Sequence, residues 1–326
     1  MLIKFYKIFF FILVLILINS CDAPHDNLLD PSNPDNTIHI ITGTVQTASI
    51  PFRPIEGVNI TVKDENQVAQ TDTEGIFQIE LYDNSDVTLY YEKSDFHFDS
   101  TIIMWGGIKS ISIEKHLNAK PKLDSVAFYS VVEFRYPDTR TTSLTIKTKI
   151  SDAELDDVDK VFVENSFYNL SPQLSYNFDE ACYALTLTAA DLSTNNIEGV
   201  IGKEFNIIVQ NAIEEKFIVG TTNIKRIINQ QPEFISPANN IDTITVGPTL
   251  RWRRFDSGYH FTYTLEIYTN EIWPQLVWEE ENITSSEIEF FVEDTLPSGE
   301  YFWVIWCIDE FQNRARSKPA SFQIIL

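Results

Sequence analysis

The chain has 326 residues, 47 of them acidic against 24 basic, for a formal charge of −23, and 44% are hydrophobic. That surplus of acid rules against a nucleic-acid binder, which needs Lys and Arg to neutralise phosphates, and against adhesion to anionic lipid through the protein surface. No composition of this kind names a reaction.

The first segment is short and apolar. Lys4 and Lys7 flank the start, an unbroken apolar run covers Ile8 to Ile18, and Asn19-Ser20-Cys21 closes it. A run of about eleven residues suits the apolar core of a secretory signal and is too short to span a bilayer, which takes about twenty. Removal of residues 1–20 would leave a chain beginning at Cys21, two charge units more negative. Residues 21–37 then hold three prolines and many Asp and Asn side chains, which give little to bury, so they read as a flexible tether. Ile18-Asn19-Ser20-Cys21 resembles the lipobox of bacterial lipoproteins, and Cys21-Asp22-x-Pro24 followed by Asp30-Pro31-x-Asn33-Pro34-Asp35 is similar to the start of many lipoproteins from Bacteroidota and related phyla. The resemblance implies lipidation of Cys21 and a place in the cell envelope, with the outer membrane the expected one.

Beyond the tether, short period-two runs rich in Val, Ile, Thr, Phe and Tyr alternate with Gly, Pro, Asn and Asp. This pattern predicts an all-β chain of three tandem sandwiches at roughly 100 residues each. The first covers 38–119. Gly43-Thr44-Val45 opens a strand, Ile60 and Val62 continue a buried face, and Thr71-Asp72-Thr73-Glu74-Gly75 makes a turn before Ile76-Phe77. Together, G-x-V, then P-I-x-G-V-x-I-x-V, then T-D-x-x-G-x-F resemble carboxypeptidase regulatory-like domains, which implies a prealbumin-like sandwich used as a structural module.

The second covers 120–229. Leu144, Ile146, Thr148 and Ile150 share a face opposite Lys147 and Lys149. Similar alternation recurs at Tyr183-Leu185-Leu187 and at Phe205-Ile207-Val209, so an Ig-like sandwich is expected. The third covers 230–326. Pro237 opens it, Leu250 and Trp252 fit a second strand, and Tyr263, Leu265 and Ile267 fit the inward face of a third. Leu296-Pro297-Ser298-Gly299-Glu300-Tyr301 resembles a tyrosine corner. These elements make the segment similar to a fibronectin type III domain. Asp309 to Lys318 reads as a charged hairpin before the last strand, with Phe322 and Ile324.

Catalytic constellations do not emerge. No pair among His25, His39, His97, His116 and His260 has helical i, i+4 spacing and none adjoins a cysteine, so no metal site and no cofactor are expected. Cys182 and Cys307 read as small apolar residues rather than a disulfide. The acids Asp152, Glu154, Asp156, Asp157 and Asp159 come without the central Gly and closing Glu of a calcium loop and read as a solvated loop, and Glu279-Glu280-Glu281 reads as a solvated turn.

Five of the six tryptophans fall between Trp252 and Trp306. If Tyr301 points inward, period two sends Trp303, Ile305 and Cys307 inward and Phe302, Val304 and Trp306 outward, with Tyr268 outward on the neighbouring strand. Trp306, Phe302 and Tyr268 are therefore the candidate surface for a protein or glycan partner, unless the second sandwich or the Trp273–Trp278 loop covers them. The expected protein is a lipid-anchored, non-enzymatic envelope spacer, scaffold or adhesion module that meets the membrane through its N-terminal lipid and binds no nucleic acid. The alternative is a glycan- or ligand-binding lipoprotein that uses this aromatic surface.

Overall fold

Alternating burial organises the chain from its first described strand. The computed structural model describes residues 38–82, 85–154, 158–194, 196–240, 243–244 and 247–325. The signal segment 1–20, Cys21 and the tether 21–37 lie outside those residues, as do Asp156 and Asp157. The described chain is all-β apart from one 3₁₀ turn at Ile197–Val200, and it divides between Asn118 and Ala119 into two compact units.

In the first unit, β1 (His39–Thr47) buries every second side chain from His39 to Thr47, so the strand begins well before Gly43. It is followed by β2 (Asn59–Val62), β3 (Val68–Gln70), β4 (Ile76–Leu81), β5 (Val87–Glu92), β6 (Asp99–Ile103) and β7 (Ser110–Leu117). One sheet runs β4-β1-β7 and the other β3-β2-β5-β6. Ile41, Val45, Ile60, Val62, Phe77, Leu89 and Tyr91 are buried, and Phe77 meets Tyr91 edge-on at 6.2 Å between the two sheets.

Two side chains build the turn before β4. The buried Thr71 hydroxyl donates to the Ile55 carbonyl at 2.6 Å and accepts from the Val58 N–H at 2.8 Å. Asp72 Oδ1 accepts from the N–H groups of Glu74 and Ile76. Gly75 closes the turn at φ +73°, and a Cβ there would lie 2.5 Å from the Val45 carbonyl oxygen. Both the backbone angle and the close approach require glycine.

The second unit contains β8 (Lys122–Arg135), β9 (Thr139–Ser151), β10 (Val158–Glu164), β11 (Gln173–Asn177), β12 (Cys182–Thr188), β13 (Phe205–Asn211) and β14 (Lys216–Thr222). It continues with β15 (Phe234–Ser236), β16 (Thr243–Ile244), β17 (Thr249–Trp252), β18 (Phe261–Thr269), β19 (Leu276–Thr284), β20 (Glu289–Phe291), β21 (Gly299–Asp309), β22 (Arg314–Arg316) and β23 (Ala320–Ile324). Leu144, Ile146 and Thr148 are buried on one face of β9, and Phe205, Ile207 and Val209 on one face of β13. The rings of Phe128 and Phe205 meet at 4.9 Å and tie β8 to β13. In the C-terminal part, β15-β17-β20 forms a separate small sheet, joined to the larger one by Trp252 against Tyr263 at 5.3 Å.

The expected boundary at 229/230 falls inside this unit. β22 pairs in parallel with β8, Arg314 opposite Val131, Ala315 opposite Val132 and Arg316 opposite Glu133. The pairing merges the strands on either side of that boundary into one sheet of thirteen strands among the described residues. One hydrophobic cluster likewise runs from Phe128 to Ile324.

Polar groups seal the seam. The buried Asp309 carboxylate accepts from the N–H groups of Phe311 and Asn313, both at 2.9 Å, and from Asn313 Nδ2. Arg226, on the connector between β14 and β15, places its Nε 3.2 Å from Asp309 Oδ2. Asn313 Oδ1 accepts from the Ser130 N–H at 2.9 Å, and the Ser130 hydroxyl lies 3.2 Å from the Arg226 carbonyl. Burial pushes the Asp309 carboxyl up, against the donors and the guanidinium that pull it down. The charged hairpin expected at Asp309–Lys318 is thus present, but its first acid is interior because β22 sits mid-sheet. Glu154 is interior as well, contrary to a solvated loop, and accepts from the Ala119 N–H at 2.9 Å.

Cys182 and Cys307 are free and buried, one on each side of the seam. Their thiols should become reactive toward a maleimide at one common urea concentration. Asp309→Ala should lower that shared midpoint by the equivalent of about 3–5 kcal/mol, the size of a broken buried charge pair. Asn313→Ala should do so by about 1–3 kcal/mol for its stranded partners. Separate midpoints in the unaltered chain would show two independent domains.

Candidate functional site

The candidate surface is set from the core side. Tyr301 is buried and its hydroxyl donates to the Pro297 carbonyl at 3.0 Å, which makes the tyrosine corner. Trp303 Nε1 donates to the Pro237 carbonyl at 2.8 Å, and the Tyr263 hydroxyl accepts from the Phe255 N–H at 2.9 Å. These bonds hold the inward faces of β18 and β21, and Trp303, Ile305 and Cys307 are fully buried there.

Alternation then delivers Tyr268, Phe302 and Trp306 to the opposite face, each half-buried. Val304 shares their parity but is buried, which departs from the expected exposure. Tyr268 stands opposite Phe302 in register, and their rings stack at 5.2 Å with planes 12° apart. The Tyr268 hydroxyl donates to Glu266 at 2.8 Å. Arg316 lies over the Trp306 ring at 5.6 Å and reaches Glu133 across the seam at 3.5 Å. The three rings are therefore gathered on one face, but Tyr268 and Phe302 cover each other and Arg316 covers Trp306. The Trp306 indole N–H is buried without an acceptor.

Neither tryptophan of the 273–278 segment is spent on this surface in the expected way. Trp278 turns to Phe290 at 5.7 Å, and Trp273 is 80% exposed. Glu279, Glu280 and Glu281 sit in β19 rather than in a turn. Glu279 pairs across the ladder with Glu266. Burial, then Glu266 and Glu281, hold the Glu279 carboxyl above its ordinary value.

Several other chemistry-bearing groups are engaged in local structure. Asp256, Ser257 and His260 line a shallow depression with Arg254, Tyr259 and Ser285, but the Ser257 hydroxyl donates to the Tyr259 carbonyl at 2.9 Å, within its own turn. Burial drives the Cys307 thiol far above its ordinary value, which suits an inert core residue. His116 Nδ1 lies 2.9 Å from the Thr47 carbonyl and His39 packs edge-on against Trp105. Among the described residues, no group of three His, Cys, Asp or Glu converges to hold a metal ion.

No protein-family model matches the chain, and no curated protein matches it. Solved structures give loose likenesses. The fibronectin(III)-like modules of Clostridium thermocellum CbhA align at 13% identity and a TM-score of 0.30, over 64% of this chain and 94% of that one. The FN1–FN3 domains of chicken CNTN1 align at 9% identity and 0.34, over 84% and 92%. A DUF3823 family protein from Bacteroides ovatus aligns at 8% identity and 0.22, over 87% and 98%. The sandwich architecture itself rests on the strands and cores described above.

The crowding at Glu279 has a measurable sign. Its raised folded value means that the fold favours the protonated form. The cost is absent below the ordinary value of 4.5 and grows as pH rises through the folded value. Glu279→Gln should therefore stabilise the protein at pH 7 by about 0.2–1 kcal/mol, the size of a like-charge cross-strand pair. The gain should disappear near pH 4, as read from urea unfolding at both pH values.

Proposed function

We propose that this chain is a lipid-anchored, non-enzymatic protein of the cell envelope that holds its C-terminal sandwich at a distance from the membrane as a spacer, scaffold or adhesion module. In this reading Cys21 carries the lipid, residues 21–37 form the tether, and 38–119 is the carboxypeptidase regulatory-like module. The Ig-like and fibronectin type III-like segments, 120–229 and 230–326, then act as one stiff arm. The observation that carries the reading is the β8–β22 seam with its buried Asp309–Asn313–Ser130–Arg226 network. A spacer needs joints that do not bend, and interior hydrogen bonds to a charge fix a joint more tightly than a peptide linker does.

Changing Cys21 to Ser tests the anchor. In a lipoprotein-producing bacterium the parent should partition into detergent and sediment with outer membranes, and the variant should leave both fractions. Equal membrane association of parent and variant would end the proposal.

A second reading is supported by the gathering of Tyr268, Phe302 and Trp306 on one face: a glycan or other ligand could bind there. Under that reading the protein binds at least one member of a polysaccharide panel, and Phe302→Ala with Trp306→Ala weakens binding at least tenfold. The spacer reading expects no binding by the unaltered protein.

A further inference from the structure

The register of the first unit places several exposed apolar side chains at one end. His39 pairs with Leu81, Ile40 with Ser110, and Val87 with Ile103. The end where the chain enters β1 therefore also contains Tyr82 and the β6–β7 connection. Tyr82 is 64% exposed, Ile102 69%, Met104 70% and Ile108 57%.

This end is built rather than loose. Trp105, between Met104 and the glycines, is buried; its Nε1 donates to the Ser85 carbonyl at 3.0 Å and its backbone N–H to Asp86 Oδ1 at 3.2 Å. Gly106 and Gly107 take φ +52° and +87°, and the Ile108 N–H closes the turn onto the Trp105 carbonyl at 2.8 Å. Open space surrounds both glycines, so the backbone angles, not packing, require them. The turn holds Met104 and Ile108 outward on either side of a fixed tryptophan.

Charge and connectivity choose the occupant. Lys63, Asp64 and Glu65 of the β2–β3 hairpin lie near this end, since the Lys63 backbone N–H donates to the Thr88 carbonyl at 2.8 Å, and Asp86 and Lys109 lie beside the apolar tip. With the exposed Glu80 opposite Ile40 and Asp83 next to Tyr82 in the sequence, acids outnumber lysines at this end, so contact with a bilayer rests on the apolar side chains and suits zwitterionic rather than anionic headgroups. Sixteen residues separate Cys21 from Ile38; they can span at most roughly 50 Å, at about 3.3 Å per residue. A tether of that length keeps this end at a high effective concentration near the bilayer, where a weak apolar contact becomes occupied.

We propose that Met104 and Ile108, with Tyr82 and Ile102 beside them, form a membrane-contacting tip that dips into the headgroup–acyl boundary of the bilayer that Cys21 grips. The inference rests on the anchor reading, and the test separates the two. The lipidated full-length protein is reconstituted in phosphatidylcholine vesicles containing a shallow nitroxide lipid, with a fluorophore on Met104→Cys, on Ile108→Cys or, as control, on Ile50→Cys. Ile50 lies beyond the opposite end of β1 and is 83% exposed. Cys182 and Cys307 are buried and stay unlabelled in the folded protein.

The expected result is co-flotation of all variants with vesicles and quenching at 104 and 108 at least threefold stronger than at 50. Flotation with equal quenching at the three positions, or with none, overturns the tip and leaves the anchor standing. Failure to float overturns the anchor and the tip with it. The exposure of Met104 and Ile108 lets both cysteine variants keep the core, which an unchanged far-ultraviolet circular dichroism spectrum would verify.

Discussion

A carboxylate removed from water must be met by donors, and Asp309 is met by donors from its own turn and by a guanidinium from a distant segment. That requirement governs the C-terminal two thirds of the molecule. It fixes the β21–β22 turn, and the turn sets Asn313 against Ser130 of β8. It also draws Arg226 inward, where the guanidinium rests 4.2 Å over the Tyr259 ring and pairs with Glu310. The connector that would otherwise link two independent sandwiches becomes part of their common interior. The short parallel pairing of β22 with β8 would hold little alone; with the buried network it places two sandwiches in a single sheet.

What the sequence shows and what it hides follow from the range of the interactions. Period-two patterning is local, and it places Ile60 and Val62, Leu144 and Ile146, Tyr263 to Ile267 and Trp303 to Cys307 on buried faces, where the structure has them. The tyrosine corner spans four residues and is equally readable. Ser130 and Asn313 are 183 positions apart, and nothing in the alternation around either points to the other. Glu154 reads as part of a solvated loop because acids are usually exposed, and Asp309 reads only as the start of a charged hairpin. Their burial depends on donors supplied by folding, such as the Ala119 N–H at the very start of the second unit.

The aromatic surface shows the same division. Parity puts Tyr268, Phe302 and Trp306 on one face, and this much was readable. Parity is silent on ring orientation, and there the neighbours decide: Tyr268 lies flat on Phe302, and Arg316 is drawn over Trp306 by its seat next to Glu133. The seam that unites the sandwiches thus also dresses the surface beside it. The fully projecting side chains of this region are instead Ile272 and Trp273, at the end of the β18–β19 hairpin, where a run of glutamates hides the strand from a simple reading.

The first unit has one further property, mechanical in kind. Its first and last strands, β1 and β7, run parallel and pair over eight residues from Ile40–Ser110 to Thr47–Leu117. The chain consequently enters at one end and departs at the other. A pull between the entering and departing segments acts along the strands, so the ladder is loaded in shear, with its hydrogen bonds strained together. An antiparallel pair of terminal strands would instead open one bond at a time, like a zipper. A module wired in this way resists extension between the segment that enters it and the segment that leaves it.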